Sequence, residues 1–235
     1  MGYSIDWLPD GRQLVTGQGL YRVGDDGSLA AHADLSELAE RWNEVVVDSR
    51  GNVYVDSSHS PAAGPAAGTG VIALITPDGA VRQVAGGIEF PNGMAITPDD
   101  RTLIISESFA ARLTAFDIDA DGGLSNRRVF AEGVGPDGIC LDAEGAVWTG
   151  AGVREWNAVV RVAEGGRRLE RIELGENRAP FALMLGGPDR RTLFILTAEW
   201  RMEDGAGRNL ERLNNGPRTG EIVALPVSVP GAGRP

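Results

Sequence analysis

The sequence predicts an all-β propeller of about five blades. Three observations predict it: a unit that recurs along the chain, a tight turn between paired apolar runs in each copy, and little helical periodicity.

The copies begin SIDWLPDGRQLV at Ser4, NEVVVDSRGNVYV at Asn43, NGMAITPDDRTLII at Asn92, DGICLDAEGAVWT at Asp137 and FALMLGGPDRRTLFIL at Phe181. Successive starts lie 39, 49, 45 and 44 residues apart. That length holds four short strands with their turns, which is one blade. The first turn of each copy falls at Asp10-Gly11, Arg50-Gly51, Asp99-Asp100, Glu144-Gly145 and Asp189-Arg190, between two β-rich runs, as a hairpin requires. A second turn follows at Asp26-Gly27, Asp78-Gly79, Asp121-Gly122 and Gly165-Gly166. Third apolar runs, such as 71–75, 113–118 and 159–162, precede those turns.

Helix is expected only as a turn or two over Leu35 to Trp42, with Asp34 as N-cap. Two segments break the regularity. Pro61 to Gly70 (PAAGPAAGTG) is small and flexible, and Trp200 to Thr219 is charged and rich in glycine; both read as loops between strands of one blade. The whole of residues 1–235 reads as a single propeller domain.

Composition narrows the function. The chain has 235 residues, 42% of them hydrophobic, enough to bury a substantial core. A net charge of −11 leaves no basic stripe to neutralise phosphates, which argues against nucleic acid as a partner. The single cysteine, Cys140, lies in an apolar run and reads as a small buried hydrophobe in a reducing compartment. Neither a signal peptide at the start nor a run approaching roughly 18 apolar residues is present, so the expectation is a cytoplasmic protein without a membrane partner.

Aligning the copies puts Ser4, Asn43, Asn92, Asp137 and Phe181 at one equivalent position, the start of each blade's innermost strand. Pseudo-rotation would gather them around a central channel. Two amides and a carboxylate from consecutive blades are oxygen donors suited to calcium, magnesium or manganese; zinc is less natural without histidine or cysteine. Asn and Asp also start strands well, because their side chains satisfy turn amides, and that reading stays open. Second strands end at the same face, which puts Asp56, Glu107 and Glu199 there, either at a pocket mouth or as an exposed rim.

Other chemistries lack their parts. The sequence has no G-x-S-x-G, H-E-x-x-H or C-x-x-C. His32 and His59 fall on a strand edge and in a loop, where neither makes a convincing general base. Asp117 to Gly122 opens like an EF-hand loop, but its twelfth position is Arg128 rather than a glutamate, so it reads as a hairpin turn.

The segments PNGMAITPDDRTLIISES from Pro91, LTAFDIDADGGLSNRRVF from Leu113 and PDGICLDAEGAVW from Pro136 resemble the gluconolactonase and regucalcin (senescence marker protein-30) family. PFALMLGGPDRRTLF from Pro180 and GEIVALPV from Gly220 are similar to its last blade. The resemblance implies a six-bladed propeller that hydrolyses sugar or other small lactones with one divalent cation: calcium, manganese, magnesium or zinc. It implies that Asn92 and Asp137 are metal ligands, that Asp137 also helps to activate water, and that Arg41 and Asn43 bind substrate. The family's first blade carries a further glutamate ligand, which has no counterpart here, since Met1-Gly2-Tyr3 already aligns with the second family blade. The expectation is therefore an N-terminally shortened member, with open blade edges that favour self-association. A propeller that binds a small molecule or a protein without catalysis, or an inactive family member, is the alternative.

Overall fold

Each copy of the repeat folds into an antiparallel meander. The computed structural model describes residues 4–58, 68–152 and 154–233. The first sheet holds β1 (Ile5–Trp7), β2 (Gln13–Thr16), β3 (Leu20–Val23) and β4 (Leu29–Ala33), in that order. The second holds β5 (Val45–Val47), β6 (Val53–Ser57), β7 (Gly70–Ile75) and β8 (Val81–Ile88). The third holds β9 (Pro91–Ile96), β10 (Thr102–Glu107), β11 (Arg112–Ile118) and β12 (Leu124–Glu132), and the fourth β13 (Cys140–Leu141), β14 (Val147–Gly150), β15 (Ala158–Val162) and β16 (Arg168–Glu173). Among the described residues the fifth holds β17 (Arg178–Gly186), β18 (Thr192–Glu199) and β19 (Glu221–Pro226). These are the five expected blades, the last with three strands instead of four. The chain divides into two compact units, Met1–Ala110 with Thr114–Arg128, and Ala111–Leu113 with Val129–Pro235.

The first turns share one local device, an aspartate that accepts the amide two residues ahead. Asp10 accepts from Arg12 N at 3.1 Å, Asp48 from Arg50 N at 2.9 Å, Asp99 from Arg101 N at 3.2 Å, Asp142 from Glu144 N at 2.8 Å and Asp189 from Arg191 N at 3.1 Å. The hairpin needs a left-handed residue, supplied by Gly11, Gly51 and Gly145 in three copies. Asp100 and Arg190 take it at φ 54° and 57° in the other two. The stretch after Asp117 is the hairpin turn expected, closed by Gly122 N donating to Asp119 O at 3.0 Å.

In the first unit, β5 and β6 bury both faces, which explains their continuous valine runs. Val45, Val47, Val53 and Val55 pack with Leu14, Leu20 and Trp42 on one side. Val46 and Tyr54 pack with Ile72, Leu103 and Phe116 on the other. The second unit has its own core around Trp148, Leu183 and Ile195, which includes Cys140. Burial pushes the Cys140 thiol far up, so it stays neutral and packs as a hydrophobe.

Two local expectations are corrected. Leu35 to Trp42 makes one turn and no helix: Asp34 accepts Ser36 N at 3.0 Å, and Ala39 N reaches Leu35 O at 3.3 Å. The expected loop Trp200 to Thr219 contains a helix, α1 (Gly205–Asn215). Polar tethers hold it. The buried Asn209 accepts Arg201 N at 2.9 Å and donates to Arg201 O at 2.6 Å and Gly205 O at 2.9 Å. Asp204 pairs with Arg212 across the first turns. Among the described residues no helix is long and apolar enough to cross a membrane.

Candidate functional site

In the first unit, three of the register-equivalent residues lie in one row of polar contacts. Ser4 Oγ donates to Glu44 Oε2 at 2.8 Å and accepts Val45 N at 3.3 Å. Asn43, just ahead of β5, is fixed by its backbone N–H, which donates to Asp56 O at 2.9 Å. Its Nδ2 donates to Asn92 Oδ1 at 3.4 Å and to Pro91 O at 3.5 Å. Asn92 Nδ2 in turn reaches Ser108 Oγ at 3.4 Å. These bonds are long and weak, so the amides are held in place without being saturated. Asn92 Oδ1 keeps acceptor capacity beyond the one bond it receives. Arg41, the other expected substrate contact, is exposed.

The backbone beside Asn92 is strained. Phe90 sits at φ 58°, a conformation that costs a bulky residue on the order of 1 kcal/mol. Its carbonyl accepts Ser108 N at 3.1 Å, and its ring stacks on Phe109 with centroids 4.2 Å apart.

The three carboxylates placed together by register have different fates. Glu107 is buried and fully used: it accepts Glu89 N at 2.8 Å and Arg127 Nη2 at 3.0 Å, and Thr114 donates to it as well. Glu199 is half-buried and paired with Arg201. Asp56 is fully buried, and neither of its oxygens has a hydrogen-bond partner. An exposed rim therefore describes none of the three. Burial, then the nearby Glu44 charge, pushes the Asp56 carboxyl well up, with only the Glu44 backbone favouring its ionised form. Glu44 is also pushed up by burial, offset in part by the Ser4 hydroxyl. Glu44 was not singled out by the repeat alignment. Its signal is positional, since it stands opposite Asp56 when the β5–β6 register is extended by one pair.

The second unit carries Asp137, half-buried in the segment leading into β13. The next residue, Gly138, donates its N–H to Phe181 O at 2.9 Å. A Cβ there would stand 2.8 Å from Ala182 Cα, so only glycine permits this approach of the β17 strand to the Asp137 segment. Phe181, the one register position without an oxygen donor, joins an aromatic group instead. Its ring meets Trp200 edge-on at 5.8 Å, and Trp200 stacks on Trp156 at 5.6 Å.

Among the described residues histidine takes no part in these groups. His32 lies in β4, half-buried, its pKa lowered by burial and by the Arg22 and Arg12 charges. His59 and nearly all of Pro61 to Gly70 lie outside the described residues. Among the described residues no three His, Cys, Asp or Glu side chains gather to hold a metal.

A family model described as SMP-30/Gluconolactonase/LRE-like region matches residues 3–199. Pentonolactonase XacC of Haloferax volcanii is 29% identical over 217 residues, covering 89% of this chain and 71% of that protein. A 6-deoxy-6-sulfogluconolactonase of Pseudomonas putida is 29% identical over 221 residues, 88% of this chain and 72% of that one. The crystal structure of a calcium-binding protein, regucalcin, from Agrobacterium tumefaciens matches with a TM-score of 0.75 at 24% identity, over 98% of this chain and 77% of that one, a likeness of fold.

Proposed function

Because the chain belongs to the SMP-30/gluconolactonase/LRE-like family, we propose that it is a hydrolase that opens small sugar or aliphatic lactones with the help of one divalent cation. The observation that carries this reading is the family match over residues 3–199, together with two relatives named as lactonases at 29% identity. In this reading the five blades follow the six-bladed plan that the family resemblance implies.

Asn92 and Asp137 would hold the cation through an amide and a carboxylate oxygen, with calcium, manganese, magnesium and zinc as candidates. When bound, the ion supplies Lewis-acid polarisation of the lactone carbonyl. The protein's own groups do the rest. Arg41 and Asn43 bind the substrate, the guanidinium and the amide nitrogen donating to its oxygens. Asp137 takes a proton from the attacking water as its oxygen bonds to the carbonyl carbon. The ring C–O bond then breaks, and the proton passes to the leaving alkoxide to give the open hydroxy acid.

The test follows acid release from gluconolactone and aliphatic lactones, above the spontaneous rate, by chelator-stripped protein given manganese, calcium or zinc. Cation-dependent release is expected. Asp137→Ala and Asn92→Ala should each lower kcat/KM by about 100-fold or more. Equal rates in these variants and the parent would remove the residue assignment, and no release by the parent under any ion would remove the lactonase reading.

A further inference from the structure

The buried carboxyl of Asp56 has no place in the chemistry above, and its surroundings are unusual. The hydrogen bonds Asn43 N to Asp56 O at 2.9 Å and Asp56 N to Glu44 O at 3.2 Å carry the ladder past the end of β5. Glu44 and Asp56 are thereby cross-strand neighbours, their Cβ atoms about 4.5–5.5 Å apart by sheet geometry. On its other side Asp56 pairs with Ile72, an apolar residue. Two residues along the same strand, the Tyr54 hydroxyl is committed to Gly122 O at 3.0 Å. No cationic side chain among the described residues pairs with either carboxyl. Two acids thus stand side by side, Asp56 shut off from solvent and Glu44 partly exposed, and Asp56 lacks any hydrogen bond.

Two arrangements relieve such a pair, a shared proton or a bridging cation. A shared proton needs the two carboxyls within hydrogen-bond distance, and Asp56 has no partner at that distance. A proton on Asp56 would itself be an unsatisfied buried donor. A hard cation bonds oxygens at about 2.3–2.6 Å each, so it spans carboxylates whose oxygens stand farther apart than a hydrogen bond allows. We infer that Glu44 and Asp56 form a binding site for a hard divalent cation, separate from any ion on Asn92 and Asp137. Every donor on offer is oxygen: the two carboxylates, with the Ser4 hydroxyl already bonded to Glu44. Glu44 is partly exposed and gives the ion its way in from solvent. With two carboxylates the ion keeps several waters and binds weakly. Its effect is structural, fastening the strand edge that carries Asn43.

The experiment titrates calcium and manganese, up to millimolar, into the chelator-stripped full chain, with heat of binding and Tm as readouts. The parent should take up an ion and gain Tm. Asp56→Asn and Glu44→Gln should each weaken that uptake by about tenfold or more and reduce the gain in Tm. Uptake and Tm gain in both carboxylate variants equal to the parent's would overturn the site. If Asp56→Asn fails to fold, Glu44→Gln, at a partly exposed position, decides alone. Lactone hydrolysis is read separately: a parent inactive on lactones that still loses an ion on Glu44→Gln keeps this site and loses the proposed activity.

Discussion

Asn43 donates its side-chain N–H to the amide oxygen of Asn92 at 3.4 Å, a contact that ties the start of one blade to the start of the next. The bond orients Asn92 from one side while Ser108 holds it from the other. Replacing Asn43 with alanine should therefore disturb substrate and Asn92 together. We expect kcat/KM for lactone hydrolysis to fall about 10- to 100-fold, with Tm nearly unchanged because the Asn43 backbone bond to Asp56 survives. Steady-state kinetics on the folded variant check this, and a parent-like kcat/KM would show that the contact is only structural.

The fourth blade holds a buried ion pair whose loss should be felt throughout its unit. Asp142, 1% exposed, accepts Arg161 Nε at 2.5 Å together with the amides of Glu144 at 2.8 Å and Ala146 at 3.0 Å. Arg161 is 5% exposed and also reaches Glu144 and Glu170. Asp142→Ala leaves Arg161 Nε and two turn amides without their acceptor, while Glu144 and Glu170 still hold the other guanidinium nitrogens, at a cost of about 3 kcal/mol. For a chain of this size that is roughly a 10 °C fall in Tm. Arg161→Met should cost less, since the two amides still solvate Asp142. A circular-dichroism melt in which Asp142→Ala moves by under about 2 °C would refute the argument.

Acid should loosen α1 before the blades. The Arg212 guanidinium hydrogen-bonded to Asp204 holds that carboxyl below the usual aspartate range, with Arg208 and Arg201 adding to the effect. A folded pKa below the unfolded one means that the pair supports the helix above the ordinary value of about 3.9. That support is lost as pH falls through the depressed folded value. Amide exchange across α1, corrected for intrinsic rates, should therefore accelerate below about pH 3.9. Asp204→Asn should show the same acceleration at neutral pH. Helix exchange indifferent to both changes would mean that the Asn209 tethers suffice by themselves.

The fold was legible because its signals are local. Each blade announces itself by an aspartate that closes its own turn two residues on, as at Asp10, Asp48 and Asp142, and by apolar runs that need no distant partner to be recognised. Cys140 was equally legible, since an apolar run around a lone cysteine predicts its burial. The helix α1 was hidden by its glycines and charges, because what stabilises it is a set of polar bonds among Arg201, Asp204, Asn209 and Arg212 instead of an apolar stripe.

The candidate site divides the same way. The repeat register alone set Asn43 and Asn92 at equivalent strand starts, and the strand period put Asp56, Glu107 and Glu199 at the far ends of their hairpins. Only the tertiary structure assigned those three carboxylates their fates. Glu107 meets Arg127 from a strand two places away in its sheet, Glu199 meets the nearby Arg201, and Asp56 meets an apolar Ile72 and a second acid. A sequence states which residues share a strand end; the free energy of a buried charge depends on what the neighbouring strands bring against it.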